Sequence, residues 1–253
     1  PPTPAMRRGT AFPTLVLEPE RAGSVVEVPG LAAASPADRW AAAAARRPGR
    51  DILHEGGLAS IEAMRDAVRA AGPIGGILDA ATLREASMVW EDARTGLLLR
   101  GRIDAVIERG SGPAGLPGKW AHYLGAGDVI LDLKGTRSAI PDVFEGDVYR
   151  LGYHLSAAQY VAGYEQLTGR GVSAVVLLAC EWDAPHVVAA FALAAGGAWL
   201  TIGRTEADEV LGRTARCYLS GEWRDGADGE LIDSEPPAWV ARRFEDGRIY
   251  GGN

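Results

Sequence analysis

Leu97-Leu98-Leu99-Arg100-Gly101-Arg102-Ile103-Asp104-Ala105-Val106-Ile107-Glu108 alternates with period two. Leu97, Leu99, Gly101, Ile103, Ala105 and Ile107 fall on one face. Leu98, Arg100, Arg102, Asp104, Val106 and Glu108 fall on the other. The pattern predicts a half-buried strand with a mostly polar second face. Asp128 to Lys134 alternates again, with Val129, Leu131 and Leu133 opposing Asp128, Ile130, Asp132 and Lys134. The stretch between them, Gly110 to Gly127, is rich in Gly and Pro and reads as a flexible loop, so the two strands can pair as a hairpin. Val172 to Ala179 is apolar and β-branched, as in a central strand covered on both faces. A turn at Asp183-Ala184-Pro185 returns the chain as a strand over Val187 to Leu193.

Helical patterns surround these strands. Arg7 to Glu20 is compatible with a short helix, although Pro13 sits awkwardly inside it. Val25 to Val28 reads as a short strand. Ser35-Pro36 opens a helix that runs to Arg47, because Ser caps well and Pro suits the first turn. Ser60 to Ala71 carries Ile61, Met64, Ala67 and Val68 on one stripe. Ile77 to Thr82 is a further helical piece. Asp142 to Leu167 predicts one long helix, closed by Gly169, and Thr205 to Tyr218 predicts another. No internal repeat and no domain-scale linker interrupts the order. The expectation is a single α/β domain over 1–253, a central mixed sheet flanked by helices. Residues 1–6 and 240–253 are expected to be loose ends, and Pro236-Pro237 lies in a polar, irregular tail.

Composition bounds the function. The 253 residues carry 26 Lys and Arg against 33 Asp and Glu, a net charge of −7. That argues against a protein that coats nucleic acid over its whole surface. It leaves room for a local channel, because channel charge and net charge are separate quantities. No apolar run approaches the roughly 20 residues a bilayer span needs, and no signal-peptide pattern opens the chain. The first residue is Pro1, as in a trimmed chain or a fragment. Cys180 and Cys217 form neither a metal spacing nor a disulfide framework. The expectation is a cytoplasmic protein with reduced thiols and no membrane partner.

Asp132-Leu133-Lys134 carries the chemistry. Period two sets the Asp and Lys side chains on one face, with the Leu133 carbonyl free at a strand end. If the strands pair, Asp104 and Asp132 meet. Two carboxylates and a carbonyl are hard oxygen ligands suited to Mg²⁺ or Mn²⁺. Lys134 would orient a water or stabilise charge on a phosphate. Each part alone is ordinary, since a strand Asp with Lys two residues on is usually a surface ion pair. Arg102 either contacts phosphate or pairs with nearby acids. Glu181 is either an acid supporting the site or a strand-end surface acid. Trp120 and Tyr123 either stack on a flat ligand or serve oligomer contacts.

The arrangement resembles the PD-(D/E)XK nuclease superfamily, with Ile103-Asp104 as "PD" and Asp132-Leu133-Lys134 as "(D/E)XK". Several segments in order resemble its phage and prophage exonuclease VIII, RecE-type, family. Gly9-Thr10-Ala11-Phe12 with Leu17-Glu18-Pro19 resembles "GTAxH…LEP". Glu85-Ala86-Ser87, Trp90-Glu91-Asp92 and Thr95-Gly96-Leu97 resemble "E-x-S…W-x-D…TGL". Gly101-Arg102-Ile103-Asp104 resembles "GRxD", and Leu131 to Thr136 resembles "xDLKTT". Tyr153-His154, Ala157-Ala158 and Tyr160 resemble "GYHxQAAxY". The resemblance covers about Arg7 to Trp239.

The resemblance implies a PD-(D/E)XK nuclease-like fold and a metal-dependent 5′ to 3′ exonuclease on linear double-stranded DNA ends. It also implies a homo-oligomeric ring and a single-strand annealing protein as partner. Asp104, Asp132 and the Leu133 carbonyl would hold Mg²⁺ or Mn²⁺, with Glu85 lining the site and Lys134 as the catalytic lysine. Arg102, Thr136, Ser156, Gln159 and Tyr160 would face the substrate. Two positions depart from the family. Its metal-binding histidine falls at Pro13, and its helix glutamine falls at Ser156, with Gln159 nearly one turn on. These departures keep a second reading open, a weakened or inactive member acting as a DNA- or protein-binding module. A third reading, a coincidental motif in an unrelated α/β protein, requires Asp104 and Asp132 to lie too far apart to share an ion.

Overall fold

The structure, a computed structural model, describes residues 3–223 and 234–235. The chain divides into two compact units, Pro1–Arg213 and Thr214–Asn253. The first holds two sheets. A small parallel pair joins β1 (Val25–Glu27) to β2 (Asp51–Leu53). The main sheet has five strands in the order β3 (Leu83–Glu91), β4 (Leu98–Ile107), β5 (Asp128–Thr136), β6 (Val172–Glu181) and β7 (Val188–Ala194). Only the β5–β6 pair is parallel, so the sheet is mixed. Within the second unit, Tyr218 and Trp223 meet edge to face at 5.0 Å. The expected loose end over 240–253, Trp239 and Pro236-Pro237 lie outside the described residues.

Helices cover both faces of the main sheet. On one face, α1 (Pro4–Leu17), α3 (Gly57–Ala70) and α4 (Ile74–Asp79) bury Phe12, Ile61, Met64 and Ile77 against Leu131, Leu133 and Leu178. On the other, α6 (Pro141–Arg150), α7 (Tyr153–Thr168) and α8 (Ala198–Ser220) bury Phe144, Val161 and Leu200 against Ile130 and Leu177. Each fully buried large side chain contributes about 1.5–3 kcal/mol. The double cover explains why β5 is buried from Asp128 through Leu133. Helix α2 (Ala37–Ala45) seats Trp40 and Ala43 on Leu31 and Ile52 beside the small sheet.

The fold is therefore mixed α/β, a five-stranded mixed sheet flanked by helices, as the alternating segments predict. Several elements differ. Helix α1 starts at Pro4, inside the stretch expected to be loose, because Thr3 caps it by accepting from the Met6 N–H at 3.2 Å. Pro13 is tolerated within it. The carbonyl that loses its partner belongs to Gly9, which is exposed and can take water. The expected flexible loop contains α5 (Gly118–Ala126), with Leu124 buried as its anchor. Trp120 and Tyr123 thus lie on a helix packed on the core. The expected long helix is two, α6 and α7, separated at Leu151-Gly152. Gly152 takes a left-handed φ of +68°, which turns the chain. Strand β3 has no counterpart among the sequence expectations; its buried and exposed positions alternate only over Ser87–Glu91 and not over its first half.

Candidate active site

The register brings three acids into one row. Arg84 pairs with Ala105 and Ala86 with Ile103, so Glu85 stands opposite Asp104. Ala105 pairs with Leu131, and one step further along the same register Asp104 stands opposite Asp132. The β4–β5 ladder stops there. Beyond it, the Leu133 N–H donates to Asp104 Oδ2 at 2.7 Å. A side chain thus takes the place of a backbone acceptor where two strands splay. The N–H and C=O of one strand residue point to the same side, so the Leu133 carbonyl faces the same gap. Its availability comes from that splay and not from a strand end, because β5 continues to Thr136.

The clean alternation expected of β4 breaks at this point. Ile103 packs in the core under α6 and α7, whereas Ala105 and Ile107 pack in the core under α1 and α3. The strand changes phase across Asp104. Glu85, opposite, has a positive φ of +48°, rare for a residue other than glycine. Arg102 does not share a simple polar face with Asp104. Its Nε lies 2.9 Å from Glu85 Oε2, an ion pair whose alignment falls short of a hydrogen bond, so both Glu85 oxygens lack a hydrogen-bond donor.

Lys134 is held from two sides. Its Nζ donates to Asp132 Oδ1 at 2.7 Å and lies 4.6 Å from the centroid of the Tyr153 ring. Burial opposes the ammonium charge, but Asp132 and Asp104 outweigh it and hold the Lys134 pKa above its ordinary value. Asp104 is pushed well above the usual carboxylate range, by burial first and then by the neighbouring Asp132 charge, despite the Leu133 N–H and Lys134. Burial also raises Glu85, against the pull of Arg102.

A cation would relieve this arrangement. Asp132 Oδ2 is buried with no hydrogen-bond partner, and Asp104 carries a neighbouring like charge. Among the described residues no group of three His, Cys, Asp or Glu side chains could hold a metal ion as a set. Glu85 lies in the row without completing such a cage. Two carboxylates and a carbonyl still fit a hard ion that keeps several of its waters.

The remaining expected residues divide. Ser156, Gln159 and Tyr160 come together in one cleft of about 390 Å³ beside β4. Thr136 does not face it. It is buried, and its hydroxyl donates to the Ser138 carbonyl at 3.0 Å in the turn after β5. Pro13 is buried inside α1. Glu181 accepts from the Ala139 N–H at 2.8 Å and anchors that same turn. His154 is buried, with Nδ1 3.1 Å from the Val148 carbonyl and Nε2 2.9 Å from Glu206 Oε2. Burial pushes the Cys180 thiol up to about 12, as befits a core thiol. Tyr153, over Lys134, escaped the sequence reading of the site, as did the packing of Trp182 beneath the strand that carries it. The Trp182 ring occupies the space a side chain at Gly135 would need, and the Arg8 guanidinium lies 4.7 Å over it. A glycine directly after the lysine of D-x-K was the available signal for that close approach.

The fold has a solved counterpart. A crystal structure of a candidate exonuclease from Eubacterium rectale superposes with a TM-score of 0.55 at 13% identity. The match covers 96% of this chain and 80% of that one, and it shows a shared fold. A second solved structure, SSO0001, matches 63% of this chain and 60% of that one at 14% identity, with a TM-score of 0.32, too low to support an argument. No family profile and no curated protein matches the chain. Among the described residues no helix is long and apolar enough to cross a membrane.

Proposed function

We propose that the protein is a metal-dependent deoxyribonuclease of the exonuclease VIII type, acting 5′ to 3′ on linear double-stranded DNA ends. The observation that carries the reading is the Asp104 carboxylate seated on the Asp132-Leu133-Lys134 strand, with Asp132 Oδ2 buried and unpartnered. Asp104, Asp132 and the Leu133 carbonyl would hold Mg²⁺ or Mn²⁺. When bound, such an ion polarises the phosphodiester and lowers the pKa of a water. Lys134, tied to Asp132 Oδ1, remains an ammonium and donates to the phosphoryl oxygen on which charge develops. Asp104, with its raised pKa, is kept in place by the Leu133 N–H. The E. rectale neighbour supports a nuclease-like fold. The polarity, the role in recombination beside a single-strand annealing protein and the ring follow from the family resemblance.

The test is release of nucleotides from linear duplex DNA with Mg²⁺, with Mn²⁺ and with EDTA. Metal-dependent release, lost in Lys134→Ala, supports the reading. No release under either metal from folded protein refutes it. That second outcome favours the binding-module reading, for which the buried Pro13 in place of a family histidine is the specific observation. Light scattering that shows a monomer at working concentration would refute the ring.

A further inference from the structure

The cleft beside the acidic row is built differently from the row itself. Trp90, Leu99, Leu155, Ala207 and Leu211 make apolar walls, and Arg100, Ser156, Gln159 and Tyr160 supply the polar groups. A volume of about 390 Å³ with mostly apolar walls and a few convergent polar groups is the usual form of a small-ligand site. Two absences of side chain shape it. A Cβ at Gly101 would lie 3.1 Å from Tyr160 Cε1, and one at Gly163 would lie 2.8 Å from the Trp90 ring. Both aromatic rings therefore sit close against their neighbouring backbones, and a space remains between β4 and the two helices.

Tyr160 connects cleft and row. It lines the cleft with its ring against Gly101, three residues before Asp104 on β4. The Gln159 amide makes no side-chain hydrogen bond among the described residues, and the Ser156 hydroxyl reaches only the Gly152 carbonyl, at 3.5 Å. Donors and acceptors are thus available to a flat heterocycle. Arg100, an exposed lining residue, has no ion-pair partner among the described residues.

We propose that this cleft receives an unstacked nucleobase of the strand being cut, stacked against Tyr160, with Arg100 on the adjoining phosphate. The inference rests on the nuclease reading and deepens it. The occupant is selected by the shared strand: Leu99, Arg100 and Gly101 line the cleft, and Asp104 follows three residues after Gly101 on β4. A strand whose phosphate lies on Asp104 and Asp132 brings an adjoining base to Tyr160. Aromatic faces hold bases without regard to sequence.

The experiment measures binding without cleavage. Short labelled duplexes carry one abasic residue, moved position by position inward from the end of each strand, and their affinity is read by fluorescence anisotropy with Ca²⁺. Wild-type protein is expected to bind one abasic position about tenfold more weakly, on the order of 1.4 kcal/mol. Leu155→Trp, which fills the cleft, is expected to bind intact and abasic duplexes equally, at the weaker value. Leu211→Trp, on α8 rather than α7, repeats the measurement should Leu155→Trp melt early. No abasic penalty at any position, or a penalty that persists in both variants, overturns the cleft assignment while leaving the nuclease reading intact. Failure of wild-type protein to bind any duplex overturns the nuclease reading and this inference with it.

Discussion

Two buried aspartates stand four residues apart on β5, and the molecule treats them in opposite ways. Asp128 is 2% exposed and fully satisfied. It accepts from the Arg109 N–H at 2.8 Å, from the Tyr164 hydroxyl at 2.8 Å and from Arg170 through Nε at 2.6 Å and Nη2 at 2.8 Å. Burial works to raise its pKa, but the Arg170, Arg109 and Tyr164 hydrogen bonds outweigh it and hold it below the ordinary value. Asp132 is 3% exposed and has one oxygen with no partner. Its neighbour Asp104 is pushed up rather than down. A buried acid that serves the fold is saturated with donors. Asp132 is left short of them.

The largest effect that would break this comparison is on activity. Lys134→Ala should reduce nucleotide release by about 10²–10³-fold, the usual loss on removing one donor to a developing charge. Some stability is lost as well, because buried Asp132 Oδ1 loses its ion-pair partner, but the loss of activity should be the larger in free-energy terms. Equal losses of activity and stability would make Lys134 a structural residue.

Next comes the structural acid. Asp128→Asn should cost on the order of 2 kcal/mol, read by urea unfolding, because it weakens several hydrogen bonds to a charged acceptor. Arg170 is 41% exposed, so solvent screening discounts its share. The folded pKa of Asp128 lies below the unfolded one, about 3.9. Its contribution is therefore present above about pH 4 and is lost as pH falls through the folded value.

Asp104→Asn should have the opposite sign. The folded Asp104 pKa lies above the unfolded one, so wild-type protein loses stability as pH rises from about 4 through the raised value. The variant removes this loss and should melt higher near neutral pH by on the order of 1 kcal/mol, since an uncharged group is cheaper to bury. Mg²⁺ should raise the melting temperature of wild-type protein and not of Asp104→Asn, by preferential binding to the folded state. A variant that melts lower and still responds to Mg²⁺ would erase the distinction between the two acids.

The smallest effect concerns the ring over Lys134. Tyr153→Leu should lower kcat severalfold with little change in KM, and Tyr153→Phe should retain most of it. A cation over an aromatic face is worth about 0.5–2 kcal/mol and does not need the hydroxyl. A Phe variant as impaired as Leu would assign the effect to the hydroxyl instead.

Local alternation was enough to read β4 and β5 and to set Asp104 beside Asp132, while β6 was read as a continuous apolar run and β7 as its return after a turn. Both strands repeat with period two over most of their length, and that period follows from the chain itself. Strand β3 was not legible. Its buried positions alternate only over Ser87–Glu91, and the positive φ at Glu85 separates that short stretch from the start of the strand. The break between α6 and α7 was hidden because Gly152 is one residue within a helical run. Its left-handed turn is paired with the Val148 carbonyl taken by the buried His154.

By itself the sequence determined the mixed α/β plan, the order of the strands along the chain and the identity of the acids and lysine that stand together. Only the tertiary structure decided which of them are left unsatisfied. The phase change at Asp104, the Leu133 N–H turned onto its carboxylate, the Tyr153 ring over Lys134 and the cleft under Tyr160 each depend on residues far apart in the chain. Hydrophobic periodicity is a local property. Hydrogen-bond satisfaction depends on every group that packing brings within reach, so it is settled only when the sheet and its helices close.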